Sequence, residues 1–120
     1  MIVGIGTDLI EIQRIEQMIS RRSMLERIYT KKELAFAKKS AATLAGNFAV
    51  KEAVSKVFGT GFFGVEPYEI EVFRNEQGAP YVILSGNAEK LAKKNGITKL
   101  HVSISNTAEY AQGFVIGESL

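Results

Sequence analysis

From residue 41 to residue 58 the chain reads as one long helix that is unusually slim along part of its surface. Ala41, Ala42, Ala45, Gly46, Ala49 and Ala53 carry little or no side chain, so another element can come close to its backbone. Leu44, Phe48 and Glu52 carry the helical pattern through to Phe58. Gly59 stands where a helix C-cap glycine belongs, and Gly59-Thr60-Gly61 forms a turn directly after it. The remaining elements have to pack around this helix.

Residues 1–9 are apolar, β-branched and glycine-punctuated, and read as a buried first strand ending at Asp8. From Glu11 the pattern turns helical, with Ile12, Ile15, Met18 and Ile19 at three- and four-residue steps. Ser23 with Glu26, and Thr30 with Glu33, both match a capping box. The second is the better helix start, because Leu34, Phe36 and Ala37 follow it, with a break near Lys39 and Ser40. Residues 68–74 and 79–84 alternate as strands around a turn at 75–78. Residues 85–94 form a short amphipathic helix, and 99–105 and 110–118 form a last hairpin. The order predicts an α+β fold, an antiparallel sheet packed with a long central helix, rather than a βαβ series. At 120 residues one small domain spanning 1–120 is expected.

The chain has no cysteine, which excludes disulfides, thiolate metal sites and thiol nucleophiles. With one histidine, His101, no zinc motif can be written. The start lacks a basic leader, and no apolar run is long enough for a transmembrane helix. A cytoplasmic protein with no membrane association is expected. Residues 14–56 hold ten of the fifteen Lys/Arg and four of the thirteen Asp/Glu, a net +6 against −4 for the rest. Such a basic half suits a phosphorylated ligand, an acidic protein or nucleic acid, or is simply a solvated face. Arg14, Met18, Arg21 and Arg22 fall together as a possible partner face, with a core-facing Met18 as the alternative. So small a chain has little room to enclose a site, which favours one at a subunit interface.

Neither glycine pair completes a Walker A or a dinucleotide fingerprint. What remains is oxygen-ligand chemistry. Asp8 and Glu52 together suit Mg²⁺, which prefers one or two carboxylates plus phosphates and waters. Lys56, one turn after Glu52, can neutralise a phosphate, and the 59–61 backbone can approach it closely. Each residue also has a plainer reading. Asp8 can be a helix cap, Glu52 and Lys56 a surface salt pair, Ser55 a hydroxyl bonded back into its helix, and Thr60 a turn residue.

Two segments taken together go further. Gly4-Ile5-Gly6-Thr7-Asp8, continuing to Arg14-Ile15, is similar to a G-x-G-x-D-x-x-x-x-x-R-I opening. Phe48-Ala49-Val50-Lys51-Glu52-Ala53-Val54-Ser55-Lys56, with its Gly-Thr-Gly end, is similar to an F/W-x-x-K-E-A-x-x-K core. Gly78-Ala79-Pro80-Tyr81 and Val102-Ser103-Ile104-Ser105 follow in order. Over nearly its whole length the chain resembles the holo-[acyl-carrier-protein] synthases, the short bacterial 4′-phosphopantetheinyl transferases.

The resemblance implies the 4′-phosphopantetheinyl transferase fold and a Mg²⁺-dependent enzyme. Such an enzyme moves 4′-phosphopantetheine from coenzyme A to a serine of acyl carrier protein, releases adenosine 3′,5′-bisphosphate and serves fatty acid biosynthesis. It implies Asp8 and Glu52 as metal ligands and Glu52 and Lys56 as catalytic residues. Ser55, Lys56, Gly59, Thr60, Gly61, Asn106 and Thr107 would bind coenzyme A. Arg14, Met18, Arg21, Arg22 and Leu25 would bind the carrier protein, in a homotrimer with sites at its interfaces and no nucleic acid partner. Two positions depart from the pattern: Asn47 stands where arginine is usual, and Asn106 where histidine is usual. Lys38 or Lys39 are the nearby cations that would compensate. The alternatives are a non-catalytic binding module with a basic face, or an inactive relative.

Overall fold

The computed structural model describes residues 1–120. In order the elements are β1 (Ile2–Glu11), α1 (Ile12–Glu16), α2 (Arg22–Leu25), α3 (Lys31–Ala37), α4 (Ala41–Phe58), β2 (Ile70–Arg74), β3 (Pro80–Leu84), α5 (Gly86–Lys94), β4 (Lys99–Asn106) and β5 (Tyr110–Glu118). A single 3-10 turn, Pro67–Glu69, precedes β2. None of the helices is long and apolar enough to cross a membrane.

The slim helix is central, as its composition requires. Ser40 caps α4 by accepting from the Thr43 amide at 3.2 Å, and Gly59 closes it at φ 79°. Twelve of its residues are buried, so it has almost no free surface. One core cluster gathers Val50, Val54, Val57 and Phe58 with Ile70, Val72 and Val115. A second gathers Leu44, Ala45 and Ala49 with Ile10, Ile15, Leu25 and Tyr29. Helix α4 belongs to both and joins them.

Against one side of α4 lies a three-stranded antiparallel sheet in the order β1-β5-β4. The contact is backbone to backbone. A Cβ at Gly6 would run into the Ala53 carbonyl, and one at Gly113 would come 2.6 Å from Ala49 C and Val50 N. Gly113→Ala therefore has to push α4 off the sheet. We expect it to cost about 3 kcal/mol, at the upper end of overpacking effects, read as a lower midpoint in urea.

The expected antiparallel sheet is present but divided. Strands β2 and β3 form a separate hairpin, closed by Asn75 Oδ1, which accepts from the amides of Gln77 and Ala79. The first strand is buried on one face only. Gly6 and Ile10 face α4, while Ile5 and Leu9 on the other face are about 60% exposed. The sheet has a helix on one side and nothing of this chain on the other.

The N-terminal helical region also differs from expectation. Helix α1 has five residues, and tight turns follow it: Met18 N donates to Ile15 O, and Arg21 N to Met18 O. Met18 and Ile19 still pack against the second cluster, so the apolar pattern survives without a continuous helix. The Ser23–Glu26 box does not form; α2 starts after Arg21, and Glu26 pairs with Arg22 at 3.0 Å. The Thr30–Glu33 box does form and starts α3. Between α3 and α4, Lys38 and Lys39 both take positive φ, 49° and 64°, which produces the break expected near residue 39.

Glu33 has a second role. It and Lys51 are both fully buried and pair at 2.8 Å. Lys51 Nζ also donates to the carbonyls of Ile70 and Pro67, and Glu33 Oε2 accepts from the Val72 amide. The pair ties α3, α4 and the start of β2 together. Burial is the main influence on both groups, raising the Glu33 pKa and lowering that of Lys51.

Candidate active site

The register of strand and helix assembles the site. Gly4, Gly6 and Asp8 alternate onto the face of β1 that meets α4. Gly4 sits against Val57 and Gly6 against Ala53, one helical turn back. Two residues further along the strand, the next side chain on that face is Asp8, which approaches the turn carrying Glu52. Asp8 is opposite Gly113 in β5, where no side chain competes for the space.

Lys56 Nζ donates to the Thr7 carbonyl at 2.7 Å and lies 3.5 Å from Asp8 Oδ1. It does not pair with Glu52, so the simple helix salt pair is not what forms. The Glu52 carboxylate makes neither an ion pair nor a hydrogen bond. Its pKa is raised, first by burial and then by Asp8, with Lys56 and Arg14 partly opposing this. Two carboxylates held together against their own repulsion, with no third ligand side chain among them, suit a cation that completes its shell from phosphate and water. Mg²⁺ fits that donor set.

The predicted coenzyme A residues separate into two groups. Gly59 and Gly61, both at positive φ, and Thr60 form the exposed turn at the C-terminal end of α4. Asn106 and Thr107 lie at the opposite end of the sheet, where Asn106 is opposite Ala111 and Ala111 opposite Ile10. The cavity beside Thr60 shares no lining residue with those beside Asn106 and Thr107. The Thr107 hydroxyl accepts from the amides of Glu109 and Tyr110 and stabilises its own turn. Ser55 is 1% exposed, and its hydroxyl donates to the Glu52 carbonyl at 2.6 Å. This is the back-bonded arrangement of the plainer reading.

Of the predicted carrier face, Arg14, Arg21 and Arg22 are exposed and Met18 is half-buried. Leu25 is a correction: it is 4% exposed and sits in the second core cluster, because α2 turns that side chain inward. His101 hydrogen-bonds Glu118 across the sheet at 2.8 Å and is remote from the carboxylate pair in register.

Sequence reasoning missed Arg74, whose guanidinium donates to the buried Asn47 at 2.6 Å. A signal was available: it is the only Lys or Arg between Lys56 and Lys90.

Comparison with known proteins agrees with the architecture. The sequence model of the 4′-phosphopantetheinyl transferase superfamily matches residues 4–115. The holo-[acyl-carrier-protein] synthase of Lachnoclostridium phytofermentans is 52% identical over 118 residues, covering 98% of this chain and 97% of the relative. The crystal structure of a holo-(acyl-carrier-protein) synthase from Bacillus anthracis, in complex with CoA (3′,5′-ADP), superposes with a TM-score of 0.83 at 39% identity. It covers 100% of this chain and 99% of that one. The Helicobacter pylori enzyme in complex with coenzyme A gives 0.85 at 31% identity, with 95% and 99% covered. The shared fold, the near-complete coverage and this level of identity together establish that the chain belongs to the 4′-phosphopantetheinyl transferase superfamily, as a member of its holo-[acyl-carrier-protein] synthase family.

Proposed function

We propose that this protein transfers 4′-phosphopantetheine from coenzyme A to a serine of apo acyl carrier protein and releases adenosine 3′,5′-bisphosphate. The observation that carries this reading is the convergence of Asp8, Glu52 and Lys56 on one edge of α4. In the reaction a serine oxygen attacks the phosphorus that bears the pantetheine, and the bond from that phosphorus to the leaving phosphate breaks. Catalysis of such a step is mainly positioning and charge neutralisation. Asp8 and Glu52 would hold Mg²⁺, which when bound neutralises the pyrophosphate. Lys56, already fixed by the Thr7 carbonyl, stabilises the leaving phosphate and can give it a proton. The open 59–61 turn admits phosphate close to backbone, with Asn106 and Thr107 as contacts on the adenosine side.

Arg14, Arg21 and Arg22, with Met18 between them, make a cationic face for an acidic carrier. The bare sheet face carrying Val3, Ile5, Leu9 and Phe114 favours burial against further copies of the chain, in a homotrimer. Two separated groups of ligand-binding residues on one protomer also favour a site completed between protomers. Products of this reaction would serve fatty acid synthesis in the cytoplasm.

The test is direct. Incubated with apo carrier protein, coenzyme A and Mg²⁺, the protein should add one phosphopantetheine mass to the carrier by intact-mass spectrometry. An unmodified carrier at equimolar protein would refute transfer. Salt-sensitive carrier binding without the added mass would point to a binding module instead.

A further inference from the structure

Arg74 has surroundings unlike those of a surface cation. It is half-buried at the end of β2, and no carboxylate lies within ion-pair distance of it. Asn47, fully buried, is clamped by its own amide, which donates to the Val72 carbonyl at 3.2 Å. Its Oδ1 therefore faces Arg74 and accepts from Nη1 at 2.6 Å. Gly46 leaves space for the guanidinium: a Cβ there would stand 3.4 Å from Nη2. Asn47 uses one of the five N–H donors.

Arg74 lines a cavity of about 390 Å³ together with Thr43, Pro80, Ile104 and Asn106, and no other lining residue carries a charge. Withdrawing a cation from water without an anion costs free energy. Burial lowers the pKa of Arg74, and no neighbouring charge opposes that. A guanidinium presents paired donors that match phosphate oxygens. The missing anion is therefore one that a ligand brings.

Coenzyme A carries two phosphate groups, a pyrophosphate and a phosphate monoester on the adenosine ribose. The pyrophosphate is matched to Asp8, Glu52 and Lys56. We propose that Arg74, oriented by Asn47, binds the ribose phosphate monoester of coenzyme A; this rests on the transferase reading above. Position 47, where the resemblance leads one to expect arginine, instead holds the residue that aims an arginine from the neighbouring strand. Neither Lys38 nor Lys39 lines the cavity. Asn47 and Glu52 are five residues apart on α4, about 140° around the helix. The Arg74 cavity and the carboxylate pair thus open on different sides of α4. One coenzyme A using both has the carboxylates of one protomer and Arg74 of another.

Calorimetric titration of the protein with adenosine 3′,5′-bisphosphate and with adenosine 5′-monophosphate, at fixed Mg²⁺, tests this. The wild type should bind the bisphosphate about tenfold tighter or more, the size of a charge-assisted hydrogen-bond pair. Arg74→Gln should abolish the preference, and Arg74→Lys should restore part of it. Asn47→Asp gives the guanidinium an anion of its own, at the cost of the donor to the Val72 carbonyl, and should also lose the preference. In transfer assays Arg74→Gln should raise KM for coenzyme A with little change in kcat, and leave 3′-dephospho-coenzyme A unaffected. A wild type without the preference, or either neutralising variant that keeps it, overturns the assignment. Failure of transfer to the carrier is read separately by mass and overturns the transferase reading instead.

Discussion

Glu52→Gln will slow phosphopantetheine transfer by about 10²–10³-fold, the scale for removing one preorganised electrostatic group from an active site. The same change will raise the melting temperature of the metal-free protein at neutral pH. Both effects come from one fact: Glu52 is partly buried beside Asp8 and has no bonding partner of its own. Its folded pKa is above the ordinary 4.5, chiefly through burial. For a carboxyl shifted upward, folding is unopposed while the group is protonated in both states, below the unfolded value. The penalty appears as pH rises through the folded pKa, and it is complete above that value. Glutamine carries no charge at either pH. Melts in the presence of a chelator should therefore match wild type near pH 4 and exceed it near pH 8. A variant that is less stable than wild type at pH 8 would show that the carboxylate is satisfied within the fold, and the cation argument would fail. Stability gained as activity is lost is a common signature of functional groups held in unfavourable surroundings.

Lys51→Met, one residue away, will have the opposite character. It should destabilise the fold by about 3–5 kcal/mol, the usual cost of leaving half of a buried ion pair. Methionine fills the aliphatic volume but provides no donor. The Glu33 carboxylate would then keep only its bonds from the Thr30 and Val72 amides, and the Ile70 and Pro67 carbonyls would lose theirs. The measurement is a urea midpoint at constant m-value. Adding Glu33→Leu removes the stranded charge and should recover part of the loss, giving a favourable coupling in the double-mutant cycle. A single-variant cost below about 1 kcal/mol would mean that the pair does not hold α3 to β2, since ordinary surface changes stay within about 0.5 kcal/mol.

These two predictions also show what the sequence could and could not reveal. The limits of α4 were legible because they are local: Ser40 at one end, Gly59 at the other, and the Thr30–Glu33 box before them. The long apolar strands and the hairpin turn at residues 75–78 were legible for the same reason. Lys51 and Glu52 were not separable by inspection. Both are charged neighbours on one helix, and which of them points inward depends on carbonyls at Pro67 and Ile70. Leu25 entered the carrier-binding set only through the family resemblance, and nothing local in the sequence shows that the short helix α2 turns it into the core. The contact of Asn47 with Arg74 spans 27 residues, beyond any local pattern. At the site, Asp8, Glu52 and Lys56 could be nominated from residue type and spacing. That Lys56 reaches β1 rather than Glu52 required the register of sheet and helix.

The glycines at positions 6 and 113 have a bearing on how the protein can change over generations. Where Asp8 and Glu52 stand relative to each other depends on main chain lying against main chain. Side-chain rotamers elsewhere in the core do not set that spacing. Core residues away from this seam can thus exchange one aliphatic group for another without dragging the acids apart. Aliphatic exchange is tolerated around the seam and barred at it, so the backbone contact, and not the identity of the surrounding aliphatic residues, fixes the gap between the two carboxylates.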